Sequence, residues 1–170
     1  TPRMGAVKNI DGTVTFCLAA PGKTSVMLVP SWDDYKFLGK NMMKYQDYQG
    51  NRYFWITVDG LADNEWYPYY FVVDDTYKVA DPYAHLILDC YNDRYLSKTI
   101  WPDRPQYPYE KFSDVMLGVY RGDIDEYEFS DFTIPDHDNL VIYELLFRDF
   151  TGNEGVASAN GTVRKAIEKI

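Results

Sequence analysis

The chain is poor in the residues that most site chemistry requires. Its 170 residues hold only two histidines and two cysteines. Neither His85 nor His137 has a second His or a Cys at metal-ligand spacing, which argues against a metal centre. Cys17 and Cys90 could pair only if the fold brought their Cβ atoms to disulfide distance, and as small apolar groups they read as buried free thiols. No apolar run approaches the roughly 20 residues of a membrane span. A Gly-rich phosphate loop and a nucleophile elbow are also missing, so no cofactor is implied. Positive charge is scarce as well: 17 Lys and Arg stand against 26 Asp and Glu, a formal net charge of -9. Such a field repels phosphate backbones and anionic headgroups, which excludes nucleic acid from the expected partners.

What is present is apolar and aromatic. Hydrophobic residues make up 46% of the chain and aromatics 17%, with 16 tyrosines. That is enough apolar surface to offset the entropy of ordering a domain. Tyr and Trp pair a flat apolar face with a polar edge, which suits half-buried sheet positions and also stacking on sugar rings.

Between Thr13 and Val79 short apolar alternations are separated by turn residues. Val14, Phe16 and Leu18 share one side of a strand over Thr13 to Ala19, bounded by Asp11-Gly12 and Pro21-Gly22. Ser25 to Pro30 is a second strand and Asn41 to Gln46 a weaker third. In Tyr53 to Val58, the residues Phe54, Ile56 and Val58 face one way and Tyr53, Trp55 and Thr57 the other. Tyr67 to Asp74 alternates through Tyr69, Phe71 and Val73, and Thr76 to Val79 returns after a turn at Asp74-Asp75. Six short strands with turns about every dozen residues predict a mainly β fold, an immunoglobulin-like antiparallel β-sandwich over residues 1–88.

Residues 89–139 are Tyr- and Asp-rich and punctuated by Pro102, Pro105, Pro108 and Pro135, and they read as a long connecting segment. The run Asp123, Asp125, Glu126 and Glu128 reads as a solvated acidic loop rather than an acid and base pair. Leu140 to Phe147, LVIYELLF, has the composition of a strand buried on both faces in a parallel sheet. Gly161-Thr162 then opens a helix with Val163, Ala166, Ile167 and Ile170 on one face. Residues 140–170 therefore read as one strand and helix of a (β/α)8 barrel, truncated after its first unit.

Three motifs carry a resemblance. Lys78-Val79-Ala80-Asp81-Pro82-Tyr83-Ala84 resembles the "ADPYA" segment that closes the N-terminal sandwich of isoamylases, pullulanases and glycogen branching enzymes. These are members of glycoside hydrolase family 13, the α-amylase family, and that sandwich is classed with carbohydrate-binding module family 48 or the early-set domains. Leu140 to Thr151 resembles the family's first barrel strand, "VIYELHVRDFT". Gly161 to Ile170 resembles its first barrel helix, "GTFKGVIEKL". Cys90 departs from the pattern, standing where relatives commonly have Pro.

The resemblance implies a retaining glycosidase or transglycosidase parent acting on starch, glycogen or pullulan-type glucan through two carboxylates. In the family these follow later barrel strands, so no catalytic residue is expected in this chain. Arg148, Asp149 and Phe150, at the carboxyl end of the expected barrel strand, would border the parent's active site. By position Tyr35 and Tyr77 resemble the two sugar-stacking Trp of glycogen-binding members, Tyr70 falls where a sugar-contacting Lys is expected, and Trp32 is a further candidate. The implied partners are an α-glucan polysaccharide or oligosaccharide and the protein's own catalytic barrel. The alternative is a self-sufficient glucan-binding module without catalysis, and a third reading is an immunoglobulin-like structural domain with no sugar ligand. An isolated barrel strand would expose Val141, Ile142, Leu145, Leu146 and Phe147, giving the segment reason to disorder, fold back or self-associate through residues 140–170. Acidity and Tyr richness slightly favour a secreted or periplasmic location over a cytoplasmic one, which stays open.

Overall fold

The computed structural model describes residues 2–96, 98, 101–124, 131–134, 136–152 and 161–170. They fall into two compact units, Thr1–Tyr95 with Pro105–Asp125, and Leu96–Arg104 with Glu126–Ile170. Among the described residues the first unit has nine strands: β1 (Gly5–Lys8), β2 (Val14–Ala19), β3 (Val26–Pro30), β4 (Lys44–Tyr48), β5 (Asn51–Val58), β6 (Tyr67–Val73), β7 (Tyr77–Val79), β8 (Leu86–Leu88) and β9 (Leu117–Tyr120). All pairings are antiparallel. One sheet runs β1-β2-β5-β4; the other runs β3-β6-β9-β8, with β7 also on β6. This is the mainly β, two-sheet sandwich that the alternation predicts.

Sequence alternation explains the core between the sheets. Val14, Phe16 and Leu18 of β2 and Phe54 of β5 meet Val26 and Leu28 of β3 and Tyr69, Phe71 and Val73 of β6. Phe16, Phe54 and Phe71 are wholly buried, and each contributes on the order of 2 kcal/mol by leaving water. The predicted facing of Phe54, Ile56 and Val58 is the observed one, with Ile56 and Val58 at the edge of this core.

A second core lies on the other side of β6. Tyr70 and Val72 pack there with Val29, Leu88, Cys90, Tyr107, Val115, Leu117 and Val119. The stretch read as a connecting segment supplies β9 and several of these residues. β9 pairs with β6 through Tyr67–Tyr120 and with β8 through Leu86–Val119, partners about thirty residues or more apart in sequence. Cys17 and Cys90 are both buried and both free.

β4 begins later than predicted, because Asn41 belongs to a 3-10 turn, Gly39–Asn41. The Asn41 amide donates to Asp33 Oδ2 at 2.7 Å. Met43 N–H then bonds Val26 O at 2.9 Å, and Met42 bridges Met27, before the chain crosses to the other sheet as β4.

In the second unit, Leu140–Leu146 forms no strand; a short helix, α1 (Phe147–Phe150), follows it. The expected buried parallel strand is absent because no described segment offers it a ladder partner, and backbone polar groups without partners stay in water. Val141 and Ile142 are exposed. The predicted helix is present as α2 (Val163–Lys169), with Thr162 as N-cap accepting from Lys165 N–H at 3.2 Å. Ala166 is buried, whereas Val163, Ile167 and Ile170 on the same face are exposed. Thr151 ties this unit together: its Oγ1 donates to Phe147 O at 2.8 Å and accepts from Gly161 N–H at 2.7 Å.

Candidate functional site

The "ADPYA" corner is a buried polar joint. After β7 the chain turns at Asp81, a residue only 1% exposed. Tyr69 Oη donates to Asp81 Oδ2 at 2.6 Å and Tyr83 N–H to Oδ1 at 2.8 Å. Burial pushes the Asp81 carboxyl above its ordinary value although both hydrogen bonds pull it down. Two glycines make room for the turn: a Cβ on Gly5 would lie 2.8 Å from Tyr83 Cβ, and one on Gly118 3.1 Å from Ala84 Cβ and 3.2 Å from Asp81 Cβ. The motif's chemistry is therefore structural, joining strands of both sheets to the exit of the sandwich.

The three predicted glucan contacts do not converge. Trp32, in a 3-10 turn after β3, packs partly into the first core, with ring centroids 5.8 Å from Phe16 and 5.7 Å from Tyr67. Its free side borders a cleft with Lys40, Asn41 and Asp59. Tyr35 meets Phe112 edge-on at 5.0 Å, and burial raises its hydroxyl to about 12. Phe112 also packs on Tyr70 and Tyr107, while Lys111 pairs with Asp34 at 2.6 Å and Lys78 with Asp114 at 3.1 Å. The segment around Phe112 thus covers the face that carries Tyr35 and Tyr70. Tyr77 is different: it is 57% exposed, with the Lys23 ammonium 4.8 Å above its ring. It borders an apolar cleft with Pro21 and Pro82. Register puts it beside Val73, at the end of β6 away from Trp32.

One aromatic surface was not singled out from sequence. Tyr53 and Trp55 alternate with core-facing Phe54, so they project from the outer face of the first sheet. With Tyr48, Gln46, Thr15 and Arg3 they line a cleft of about 340 Å3, with Cys17 buried at its floor. The signal was the i, i+2 aromatic pair itself.

Charged residues form surface pairs rather than a reactive cluster. Asp123 pairs with Arg121, whose guanidinium lies 4.6 Å from the Trp66 ring. Asp125, Glu126 and Glu128 lie outside the described residues. Burial pushes the Asp33 carboxyl up, but hydrogen bonds from Lys40 and Asn41 more than offset this and hold it low. Arg148 and Asp149 sit on α1 and pair at 3.1 Å, both well exposed, and Phe150 O accepts from Lys169 Nζ at 2.8 Å. Among the described residues no three His, Cys, Asp or Glu gather as metal ligands, and no helix is long and apolar enough to cross a membrane.

An antiparallel two-sheet sandwich with aromatic outer clefts, followed by a partly helical unit, is the class of protein these features define. Among solved structures it is similar to the catalytic module of the multi-modular glycogen-degrading pneumococcal virulence factor SpuA. The inhibitor complex of that module shares 20% identity over 99% of this chain and 25% of that one, with a TM-score of 0.59. A second structure of the module shares 19% identity over 99% of this chain and 24% of that one, with a TM-score of 0.58. The chain thus spans about a quarter of the length of these structures, and at this identity the likeness establishes the fold. No protein-family model and no curated protein matches the sequence.

Proposed function

We propose that the chain is the non-catalytic N-terminal portion of an α-glucan-active hydrolase or transglycosidase of the α-amylase family, serving its catalytic barrel. The observation that carries this reading is the likeness to a glycogen-degrading catalytic module over 99% of the chain, so that it is not confined to the sandwich. The motifs of residues 140–151 and 161–170 support it independently, since a free-standing binding module has no use for a barrel's first strand and helix. Under this reading the exposed Val141, Ile142, Val163 and Ile167 are covered by later strands and helices of the barrel, and Arg148, Asp149 and Phe150 border its active site.

The test is to read the source reading frame beyond Ile170 and express both forms. A continuation of several hundred residues that supplies three acidic residues after later barrel strands, and that hydrolyses or transfers α-glucan while residues 1–170 do not, is the expected result. A frame that stops near Ile170 overturns the enzyme reading and leaves the self-sufficient binding module. Exposed Tyr77, beside its apolar cleft, favours that second reading.

A further inference from the structure

We infer that the sandwich holds an α-glucan chain on the outer face of its first sheet, across Tyr53, Trp55 and Tyr48; this rests on the α-glucan reading above. The second sheet's outer face is closed. Phe112 is wedged among Tyr35, Tyr70 and Tyr107, and the ion pairs Lys111–Asp34 and Lys78–Asp114 hold its segment at two places. On the first sheet's outer face the N-terminal residues Pro2 and Arg3 border a cleft over buried Cys17, and Tyr48, Tyr53 and Trp55 line the rest of it.

The cleft has the composition a neutral sugar chain requires. Tyr53 and Trp55 are two residues apart on β5, about 6.6 Å along the strand, and both line the cleft. Tyr48 lies on β4 beside them, opposite Asn51. Flat aromatic rings offer apolar faces to the C–H faces of pyranose units, and their polar edges can stay near solvent. Gln46 opposite Tyr53 and Arg3 at the rim supply donors and acceptors for hydroxyl groups. Although the chain has 26 acidic residues, no carboxylate is among the described residues lining this cleft. The Lys44 ammonium lies 5.4 Å from the Trp55 ring centroid, a cation over one face of that indole.

The test is affinity electrophoresis of the full chain in glycogen, with hydroxyethylcellulose as the β-linked comparison. The variants are Trp55→Ala, Tyr48→Ala and Tyr77→Ala, each checked for an unchanged thermal transition. Tyr48 lies on an edge strand, so its variant reports binding even if Trp55→Ala unfolds. Retardation of the wild type by glycogen alone, weakened about tenfold by Trp55→Ala or Tyr48→Ala and retained by Tyr77→Ala, is the expected result. Loss in Tyr77→Ala alone would move the site to the β6–β7 hairpin and overturn the inference. Equal retardation by both polymers would overturn its α-glucan specificity. An unretarded wild type would overturn the site, whereas the accessory role depends on the reading frame and is judged separately.

Discussion

The hydroxyl of Tyr69, at the centre of β6, donates to the carboxylate of Asp81 at 2.6 Å, where the chain leaves β7. Both groups are buried, so neither can exchange this bond for one to water. Tyr69→Phe leaves Asp81 with only Tyr83 N–H, which raises its carboxyl further and destabilises the domain at neutral pH by about 1 to 3 kcal/mol. Urea midpoints at pH 7 and pH 3.5 measure this, and the loss is expected to shrink in acid.

The same joint gives a signed pH dependence. Burial, against its hydrogen bonds, holds the Asp81 carboxyl above its ordinary value of 3.8 in the folded state. Its contribution is therefore complete below about pH 3.8 and is lost as pH rises through the folded value. Asp81→Asn removes that titration, so the variant gains on the wild type as pH rises from 3 to 7. Asp74, held low by Thr24 and Ser25 N–H donors, acts oppositely, and its contribution is lost as pH falls. A difference profile between wild type and Asp81→Asn isolates the one from the other.

Gly118 is a packing position. A methyl group there would press on Ala84, Asp81 and the Tyr69 ring at 3.1 to 3.3 Å. Gly118→Ala is expected to cost about 1 to 3 kcal/mol by overpacking, read from the shift in urea midpoint.

The cover over the second sheet depends on its ring more than on its charges. Phe112→Ala removes a half-buried ring that touches three tyrosines and is expected to cost about 2 to 3 kcal/mol. Lys111→Ala breaks an exposed pair with Asp34 and is expected to move the melting midpoint little.

Cys17 and Cys90 should be silent in the native protein. Both are buried, and burial, with the Asp81 charge adding to it, pushes the Cys17 thiol up. A disulfide-exchange reagent is expected to label neither until denaturant is added, and then both.

Local periodicity made β2, β3, β5 and β6 legible, because each carries its core residues at alternate positions between turns, and β7 was legible from the Asp74-Asp75 turn before it. β8 and β9 were not legible: Leu86–Leu88 and Leu117–Tyr120 are short, contain a glycine at 118, and find each other across a proline-rich stretch. The second core escaped for the same reason, since Tyr107 and Val115 show no pattern until their partners are known. Val141 to Leu146 shows the opposite failure, a run apolar enough to demand burial that names no partner. At the candidate site the ring of Tyr77 is exposed, whereas Tyr35 is covered by a residue 77 positions away, which spacing could not reveal. Tyr53 and Trp55 were visible as an outward pair but gave no hint of the cleft between β2 and β4.

β6 sends Tyr69, Phe71 and Val73 into one core and Tyr70 and Val72 into the other. Neither layer can loosen without unseating the strand that serves both. Its amides should therefore be the last in the sandwich to take up deuterium, and they should exchange only through opening of the entire sandwich.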